Sequence, residues 1–270
     1  MELADLVAAA LAEDLGTSGD VTSQVTVPDD ARARGRVVAR QPGVLAGRAF
    51  GEEVLRQMGV SGTWQATDGA VLAAGEGVLG VDGPARAVLA AERTLLNGLS
   101  HLSGIATLTA RYVEAARPAR VLDTRKTLPG WRALEKQAVA AGGGVNHRMG
   151  LHDMVLVKDN HLAMGGVDLA AAVARARDAL PGVPVEVEAD DLDGVQRALD
   201  AGADRVLLDN MDEATMRAAV GMCAARAVTE ASGGMDLEGV ARAAACGVDF
   251  VSVGALTHSA PALDLALDLD

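Results

Sequence analysis

The spacing of apolar residues divides the chain into stretches of different character. Residues 2–15 place five apolar side chains on one helical face, which predicts a packed helix: Leu3, Leu6, Val7, Ala10 and Leu11. From residue 36 to 82 the apolar runs are short and are separated by turn signals such as Pro42-Gly43 and Asp68-Gly69, around a helical stretch at 51–58. This pattern is typical of an α+β unit with an antiparallel sheet. A long apolar helix is then predicted from residue 84 to about 116.

After residue 120 the pattern changes to alternating strands and helices. Short apolar runs predict strands at 121–122, 154–157, 185–187, 206–208, 227–228 and 250–253. Helical segments lie between them at 168–180, 191–201, 213–225 and 236–245, and several begin at an aspartate able to cap a helix. The alternation predicts an α/β fold with parallel strands. Six strands are too few for a complete eight-stranded barrel, so an incomplete barrel and an open doubly wound sheet are both compatible with the pattern.

Polar residues recur at or just beyond the carboxyl ends of these strands, where parallel α/β folds place their chemistry. In chain order they are Arg125 and Lys126, Lys158, Glu188, Asp209 with Asn210, Glu230 with Ser232, and Gly254. The first two strands bring cations and the next two bring carboxylates. Two carboxylates that face a polyanion indicate bound Mg²⁺ or hydrogen bonds to sugar hydroxyls. The alternative is a set of internal salt bridges between these acids and the nearby lysines.

The segment 121–161 concentrates basic residues in an otherwise acidic chain. Arginine guanidinium groups and lysine ammonium groups commonly bind carboxylates and phosphates. The run Gly142-Gly143-Gly144 beside His147 and Arg148 indicates close backbone approach to a group that a side chain would block. We therefore predict a pocket for a small polyanion. Ser232-Gly233-Gly234, before a helix near Asp236, adds a predicted phosphate cradle of backbone N–H groups.

Composition narrows the classes of function. Half of the 270 residues are hydrophobic, which allows a sizeable core, and only 2% are aromatic. The net charge of -13 argues against a nucleic-acid or membrane partner, because both require a basic face. Cys223 and Cys246 lack metal-site spacing, so a reducing, cytoplasmic location is expected. The N-terminal residues lack a basic stretch, and no apolar run is long enough to span a membrane, so neither a signal peptide nor a transmembrane segment is expected.

Many short blocks, in order along nearly the whole chain, resemble the quinolinate phosphoribosyltransferase family, the decarboxylating nicotinate-nucleotide pyrophosphorylases. The blocks in the first half are Glu13-Asp14, Gly19-Asp20-Val21-Thr22, Glu92-Arg93-Thr94 with Asn97, Leu102 to Thr107, Asp123-Thr124-Arg125-Lys126-Thr127, and Pro129-Gly130. Those in the second half are Glu135-Lys136, Gly142 to Gly144, Asn146-His147-Arg148, Lys158 with Asn160-His161, Glu186-Val187-Glu188, Leu208-Asp209-Asn210, Glu230 to Gly234, and Ser252-Val253-Gly254-Ala255.

The resemblance implies a type II phosphoribosyltransferase fold and a pentosyl transfer. An α/β sandwich domain is expected at residues 1–115 and an incomplete α/β barrel at 116–261, with a tail of about 262–270 packing back on the first domain. The implied reaction transfers phosphoribosyl from phosphoribosyl pyrophosphate to quinolinate with decarboxylation, in NAD biosynthesis, and Mg²⁺ accompanies the donor. A homodimer with shared active sites is also implied.

The resemblance also assigns roles to individual residues. Arg93 would reach into the partner's site, and Lys126, Lys158, Glu188 and Asp209 would act in catalysis. The dicarboxylate and pyrophosphate would be bound by Arg125, Lys126, His147, Arg148 and Lys158, next to Thr124. Glu188 and Asp209 would hold the ribose and, directly or indirectly, the metal. The 5-phosphate would lie against Ser232, Gly233, Gly234, Val253, Gly254 and Ala255.

Two positions depart from the family pattern, which has Thr or Ser at the place of Leu128 and a bulkier residue at Gly98. Three other functions are compatible with parts of the pattern. The first is a related phosphoribosyltransferase, associated with molybdate transport, that uses a different acceptor. The second is an aldolase-like barrel with Lys126 or Lys158 as a Schiff base, and the third is a catalytically silent binding protein.

Overall fold

The computed structural model describes residues 2–270, and these form two compact units. The first contains the residues up to Ala110 together with Leu128–Gly143 and Ser259–Asp270, and the second contains Arg111–Thr127 and Gly144–His258. The expected division was 1–115 with a tail of about 262–270, and 116–261; the observed first unit includes the C-terminal residues in the same way and also takes Leu128–Gly143, which contains one helix. In chain order the elements are α1 (Leu3–Leu15), α2 (Val21–Thr26), β1 (Arg32–Ala39), β2 (Gly43–Val44), α3 (Arg48–Met58), β3 (Ser61–Trp64), β4 (Val71–Leu72), β5 (Gly77–Pro84), α4 (Ala85–Ala116), β6 (Arg120–Leu122), α5 (Arg132–Ala141), β7 (Val155–Val157), α6 (Asp159–Gly165), α7 (Leu169–Ala179), β8 (Val185–Ala189), α8 (Leu192–Asp200), β9 (Arg205–Asp209), α9 (Glu213–Cys223), β10 (Val228–Ser232), α10 (Leu237–Ala245), β11 (Phe250–Ser252), α11 (Ala255–His258) and β12 (Leu265–Leu269).

The first unit is built on a four-stranded antiparallel sheet in the order β12-β1-β5-β3. Strand β12 pairs with β1 from Gly35 opposite Leu269 to Ala39 opposite Leu265. The strand was not foreseen in the tail, because its pairing partner lies at the other end of the sequence. The predicted helix α1 is present, and α4 runs for 32 residues without a break at its glycines.

The second unit contains a six-stranded parallel sheet in the order β6-β11-β10-β9-β8-β7. Strands β7 to β11 follow one another without a reversal, and β6 joins the far edge next to β11. A doubly wound sheet would reverse its order at a switch point. The observed order is therefore that of an incomplete barrel.

Aspartates cap four helices of this unit, and three of them, Asp168, Asp191 and Asp236, begin helices where the sequence predicted them. Asp168, Asp191, Asp212 and Asp236 each accept a hydrogen bond from a backbone N–H in the first turn of α7, α8, α9 and α10. These caps satisfy backbone donors that have no partner inside the helix. At α8, α9 and α10 the cap also marks the end of the loop that follows a strand, at the edge of the sheet where polar residues collect.

No helix within residues 2–270 has the length and apolar character that crossing a membrane requires.

Gly98 has a packing role that explains its departure from the family pattern. It lies in α4, and a Cβ added there would overlap the ring of Phe50, with the ring Cζ 2.8 Å away. Phe50 is itself 1% exposed and also stacks on Trp131, with 5.2 Å between ring centroids. The missing side chain at Gly98 thus makes room for a buried aromatic ring. Nothing in the structure explains Leu128.

We expect Gly98→Ala to destabilise the protein by about 1–3 kcal/mol, because Phe50 cannot move away without disturbing the core. Gly221→Ala is the matched control, since Gly221 lies in helix α9 with no atom within 4 Å of an added Cβ. The control should raise stability by about 0.5–1 kcal/mol through helix propensity. Thermal unfolding of both variants measures the difference, and a rise in melting temperature for both would contradict the packing argument.

Candidate active site

A pocket of about 810 Å³ lies in the second unit, at the carboxyl ends of the parallel strands. Thirteen of the fifteen predicted binding and catalytic residues line it: Thr124, Arg125, Lys126, His147, Arg148, Lys158, Glu188, Asp209, Ser232, Gly233, Gly234, Gly254 and Ala255. Val253 is buried below the lining. Arg93 is exposed on α4 in the first unit, where it lines a separate cavity of about 430 Å³. The site residues foreseen in the second unit therefore converge on one pocket.

The two arginines of the pocket face the same space. Arg148 is held by a hydrogen bond from its Nη1 to the carbonyl of Met154 at 3.1 Å. Burial and electrostatic repulsion from Arg125 lower the pKa of Arg148. A small ligand with two negative charges would relieve this repulsion.

Lys126 is positioned by hydrogen bonds of its main chain, and its side chain lines the pocket. Its carbonyl accepts a hydrogen bond from Thr257 Oγ1 at 2.7 Å, and its N–H donates to Thr124 Oγ1 at 3.1 Å. The absence of a side chain at Gly254 leaves room for the aliphatic part of Lys126, because an added Cβ at Gly254 would lie 3.0 Å from Lys126 Cδ. The same Cβ would lie 3.2 Å from Nε2 of His258, which also lines the pocket.

The carboxylates on the neighbouring strands β8 and β9 have different partners. Glu188 forms an ion pair with Lys158, so for Glu188 the internal salt bridge weighed as the alternative is present. Asp209 accepts a hydrogen bond from the side-chain amide of Asn210 at 2.8 Å. One or two carboxylates beside substrate phosphates are the protein ligands that Mg²⁺ usually takes, so this pair of residues fits a metal that arrives with a phosphorylated substrate.

Glycines shape the turns after the last strands. Gly233 and Gly234 have φ values of 107° and 52°, in the left-handed region that side chains disfavour. They lead from β10 to Asp236, which caps α10. The turn leaves backbone N–H groups at a helix N-terminus, which is a favourable place for a phosphate group.

A buried cluster of charges adjoins the pocket, and His147, Glu230 and Ser252 belong to both. Glu186 and Glu230 are both 0% exposed. The Nε2 atom of His147 lies 3.1 Å from Glu186 and 3.4 Å from Glu230. Arg205 donates to Glu230 at 2.8 Å, and Ser252 donates to the other oxygen of Glu230. Because Arg205 already supplies a cation at Glu230, we interpret this cluster as an ion-pair network and not as a metal site.

The cluster retains a proton at neutral pH. Burial opposes protonation of His147, but hydrogen bonds to Glu186 and Glu230 outweigh it and raise the pKa of the imidazole to about 9. The main-chain N–H of Arg148 donates a hydrogen bond of 2.7 Å to Nδ1 of His147, which must therefore keep its lone pair to accept it. The retained proton is therefore shared with Glu186, whose pKa is raised by burial.

Two interpretations of the sequence are wrong in detail. Glu230 lies in the middle of β10 and Glu188 is one residue short of the end of β8, because both strands extend further than their apolar runs, whereas Asp209 and Ser232 are the last residues of β9 and β10, as expected. Gly142 does not make room for a ligand: an added Cβ would overlap the carbonyl of Ala106 in α4 and lie 2.7 Å from Thr109. Its small size serves helix packing.

Several pocket residues had no predicted role. They are Tyr112, Asp123, Leu156, Leu207, Asn210, Glu230, Met235, Asp236, Ser252 and His258. Asp123 and Asn210 belong to motifs that the sequence did display, whereas Tyr112 lies within helix α4 and follows no predicted strand. The sequence offered no signal for Tyr112.

The fold and the pocket define an incomplete α/β barrel with an anion-binding site at its strand ends. Profiles described as the N-terminal and C-terminal domains of quinolinate phosphoribosyl transferase match residues 20–103 and 105–268. The chain belongs to this family.

Relatives match over almost the whole chain. A nicotinate-nucleotide pyrophosphorylase [carboxylating] of Mycobacterium leprae is 46% identical over 98% of this chain and 96% of its own length. The structure of the nicotinate-nucleotide pyrophosphorylase from Francisella tularensis is similar with a TM-score of 0.94 and 38% identity, covering 99% of this chain and 96% of that one. The corresponding Ehrlichia chaffeensis structure has a TM-score of 0.94 and 32% identity, covering 100% and 99%.

We expect the free energy of unfolding to fall as pH rises from about 6.5 to about 9. Over this interval the folded cluster retains a proton that the unfolded histidine has released. The stabilisation that comes from this difference in proton binding is therefore lost as pH approaches the raised pKa. The loss should be on the order of 1–3 kcal/mol. Urea unfolding across this range is the measurement.

Glu186→Gln is the comparison for this prediction, because it keeps the shape of the side chain and removes one of the two carboxylates. The pH dependence should be smaller in the variant. An equal fall in both proteins would show that the cluster is not its source.

Proposed function

We propose that this protein is a quinolinate phosphoribosyltransferase of NAD biosynthesis. It transfers phosphoribosyl from phosphoribosyl pyrophosphate to quinolinate and forms nicotinate mononucleotide, pyrophosphate and CO2. The label [carboxylating] on the Mycobacterium leprae relative and [decarboxylating] on a Nicotiana tabacum relative, 39% identical, describe opposite directions of this reaction. The observation that carries the proposal is the pair of arginines, Arg125 and Arg148, which repel each other in one pocket opposite the carboxylates Glu188 and Asp209.

The cationic half of the pocket suits quinolinate, which carries two adjacent carboxylates. Arg125 and Arg148 bind these carboxylates through charge-assisted hydrogen bonds. This contact holds the pyridine nitrogen towards C1 of the ribose. Lys126 and Lys158 lie beside them and bind the pyrophosphate group.

Catalysis follows from positioning and from charge. The pyridine nitrogen forms a bond to C1, the bond from C1 to the pyrophosphate oxygen breaks, and the pyrophosphate leaves with that electron pair. Positive charge grows on the sugar while negative charge grows on the leaving group, so the lysines stabilise the transition state more than the ground state. Loss of the carboxylate next to the ring nitrogen as CO2, with uptake of a proton at that carbon, completes the reaction. No covalent nucleophile is required.

The acidic half of the pocket and the glycine turns suit the sugar phosphate. Glu188 and Asp209 accept hydrogen bonds from the ribose hydroxyls and would hold Mg²⁺, which would neutralise charge on the pyrophosphate. Ser232, Gly233, Gly234 and Gly254 receive the 5-phosphate. Occupation of the site separates the Lys158–Glu188 ion pair, because each member then faces substrate charge of the opposite sign.

We also propose a cytoplasmic homodimer in which Arg93 serves the partner's pocket. Arg93 is exposed at the surface of its own unit, beside the acidic residues Glu13 and Asp14 of α1. An exposed arginine is suited to a contact with an anionic ligand across an interface. Both cysteines are free and buried, which is compatible with a reducing compartment.

The decisive assay is incubation with quinolinate, phosphoribosyl pyrophosphate and Mg²⁺, followed by detection of nicotinate mononucleotide and CO2. We expect both products in equal amounts. A chain that consumes the donor only with a different acceptor would be the related phosphoribosyltransferase associated with molybdate transport. A chain that leaves the donor intact with every acceptor would contradict the proposed class of enzyme.

We expect Lys126→Ala and Arg148→Ala to lower turnover by about 100-fold or more, because misplacement of a reactant by 1 Å can have an effect of this size. Both side chains line an open pocket, so the variants should remain folded with little change in melting temperature. Arg217→Ala is the matched control, since Arg217 lies on α9 outside the pocket and pairs with exposed Glu213 on the same helix. Near-normal turnover of a folded Lys126→Ala, Arg148→Ala double variant would refute these assignments.

Mixing an inactive Arg93→Ala chain with an inactive Lys158→Ala chain should restore part of the activity. In a hybrid dimer one pocket can combine an intact Lys158 with an intact Arg93 from the partner subunit. Activity before and after subunit exchange is the measurement, with hybrid formation checked by mass. Hybrids that form but stay inactive would show that Arg93 serves its own subunit.

A further inference from the structure

We infer that Asn210 is a positioning residue, which fixes the Asp209 carboxylate and the Ser232–Gly234 turn relative to each other. The inference rests on the proposed function and extends it to a side chain to which the family resemblance gave no role. Asn210 thereby joins the two parts of the pocket that receive the ribose and the 5-phosphate of phosphoribosyl pyrophosphate.

The first observation is the backbone of Asn210. Its φ is 53°, and only one other non-glycine residue among residues 2–270, Ala225, has a positive φ. Asn210 directly follows the last residue of β9 and its N–H donates to the carbonyl of Ser232 at 3.0 Å. Asparagine tolerates this left-handed conformation better than most side chains. The backbone bond holds the end of β9 to the end of β10.

The second observation is the side-chain amide. Nδ2 of Asn210 donates to Oδ2 of Asp209 at 2.8 Å. A carboxylate can only accept, so the nitrogen of the amide and not its oxygen must face Asp209. The left-handed backbone turns the amide back towards the preceding residue, and this contact selects one orientation of the carboxylate.

The third observation comes from the opposite side of the amide. Gly233 has a φ of 107°, and a Cβ added there would overlap Oδ1 of Asn210 and lie 2.6 Å from its Cγ. The amide therefore occupies the space that a side chain at Gly233 would need. One side chain thus contacts the acid on one side and the glycine turn on the other.

A purely structural role is a poor account of these contacts. Asn210 is exposed to solvent and lines the pocket, so its removal opens no cavity in the core. If only the turn mattered, glycine would serve at least as well, since it adopts a positive φ without strain. The feature that glycine lacks is the amide, and the amide contacts Asp209.

Two variants separate the backbone from the amide. Asn210→Gly keeps the turn and removes the amide, whereas Asn210→Asp keeps the shape and places an oxygen against the Asp209 carboxylate. We expect both to weaken calorimetric binding of phosphoribosyl pyrophosphate in the presence of Mg²⁺ by about 10- to 100-fold, the usual effect of removing a partner that orients a ligand-binding group. KM for phosphoribosyl pyrophosphate should rise in parallel, while KM for quinolinate and the melting temperature should not change.

Ala225→Gly is the control, because it makes the same backbone change at the other left-handed position, outside the pocket, and should bind the donor as the unmodified protein does. Unchanged donor binding by Asn210→Gly would overturn the inference and leave the proposed function standing. Equal increases in KM for both substrates, with a lower melting temperature, would also overturn it in favour of a structural role. Failure of the unmodified protein to bind the donor would instead refute the proposed function, and the inference with it.

Discussion

The site depends on the neutralisation of two carboxylates buried inside the parallel sheet. Glu186 and Glu230 are withdrawn from water on β8 and β10, and an isolated buried charge is strongly unfavourable. His147 approaches both acids, and Arg205 approaches Glu230. Arg205 in turn stacks on Phe250, with its guanidinium carbon 4.8 Å from the ring centroid. The loop that carries His147 is therefore held by electrostatics to the interior of the sheet.

This anchoring determines where the cations of the pocket lie. The backbone N–H of His147 donates to buried Asp123 at 2.8 Å, just after β6, and its ring receives the N–H of Arg148. Arg148 is thus placed by the contacts of its neighbour together with the hydrogen bond from its own Nη1 to the carbonyl of Met154. Within residues 2–270, Oε1 of Glu186 is buried without a hydrogen-bond partner, which agrees with a raised pKa and a proton shared in the cluster.

Charges of opposite sign are separated across the pocket by the order of the strands. Cations follow β6 and β7 at the two edges of the sheet, whereas the half-buried acids that line the pocket lie on β8 and β9. The Lys158–Glu188 ion pair marks the boundary between the two groups. A substrate pair in which one member is a dianion and the other a metal-bound sugar phosphate matches this separation.

Much of this arrangement was accessible from residue patterns. The strand and helix periods, the capping aspartates and the recurrence of polar residues at strand ends predicted an α/β unit with its site at one edge, because these signals are local. Strand β12 was missed because a five-residue segment cannot be recognised as a strand without the strand with which it pairs, and that strand, β1, lies at the other end of the sequence. The lengths of β8 and β10 were underestimated because polar residues, Glu188 in β8 and Thr229 and Glu230 in β10, interrupt the apolar runs that mark a strand.

The sequence by itself therefore determined the class of fold, the family and which residues collect at the strand ends. Only the tertiary structure decided which of the acids are buried and which face the pocket, since Glu186 and Glu188 lie on one strand with the same chemistry and differ only in depth. It also decided that Gly98 and Gly142 serve packing while Gly233 adjoins the site. A glycine has no side chain whose chemistry would indicate its role in the sequence. The atoms that occupy the space beside it come from residues distant in sequence.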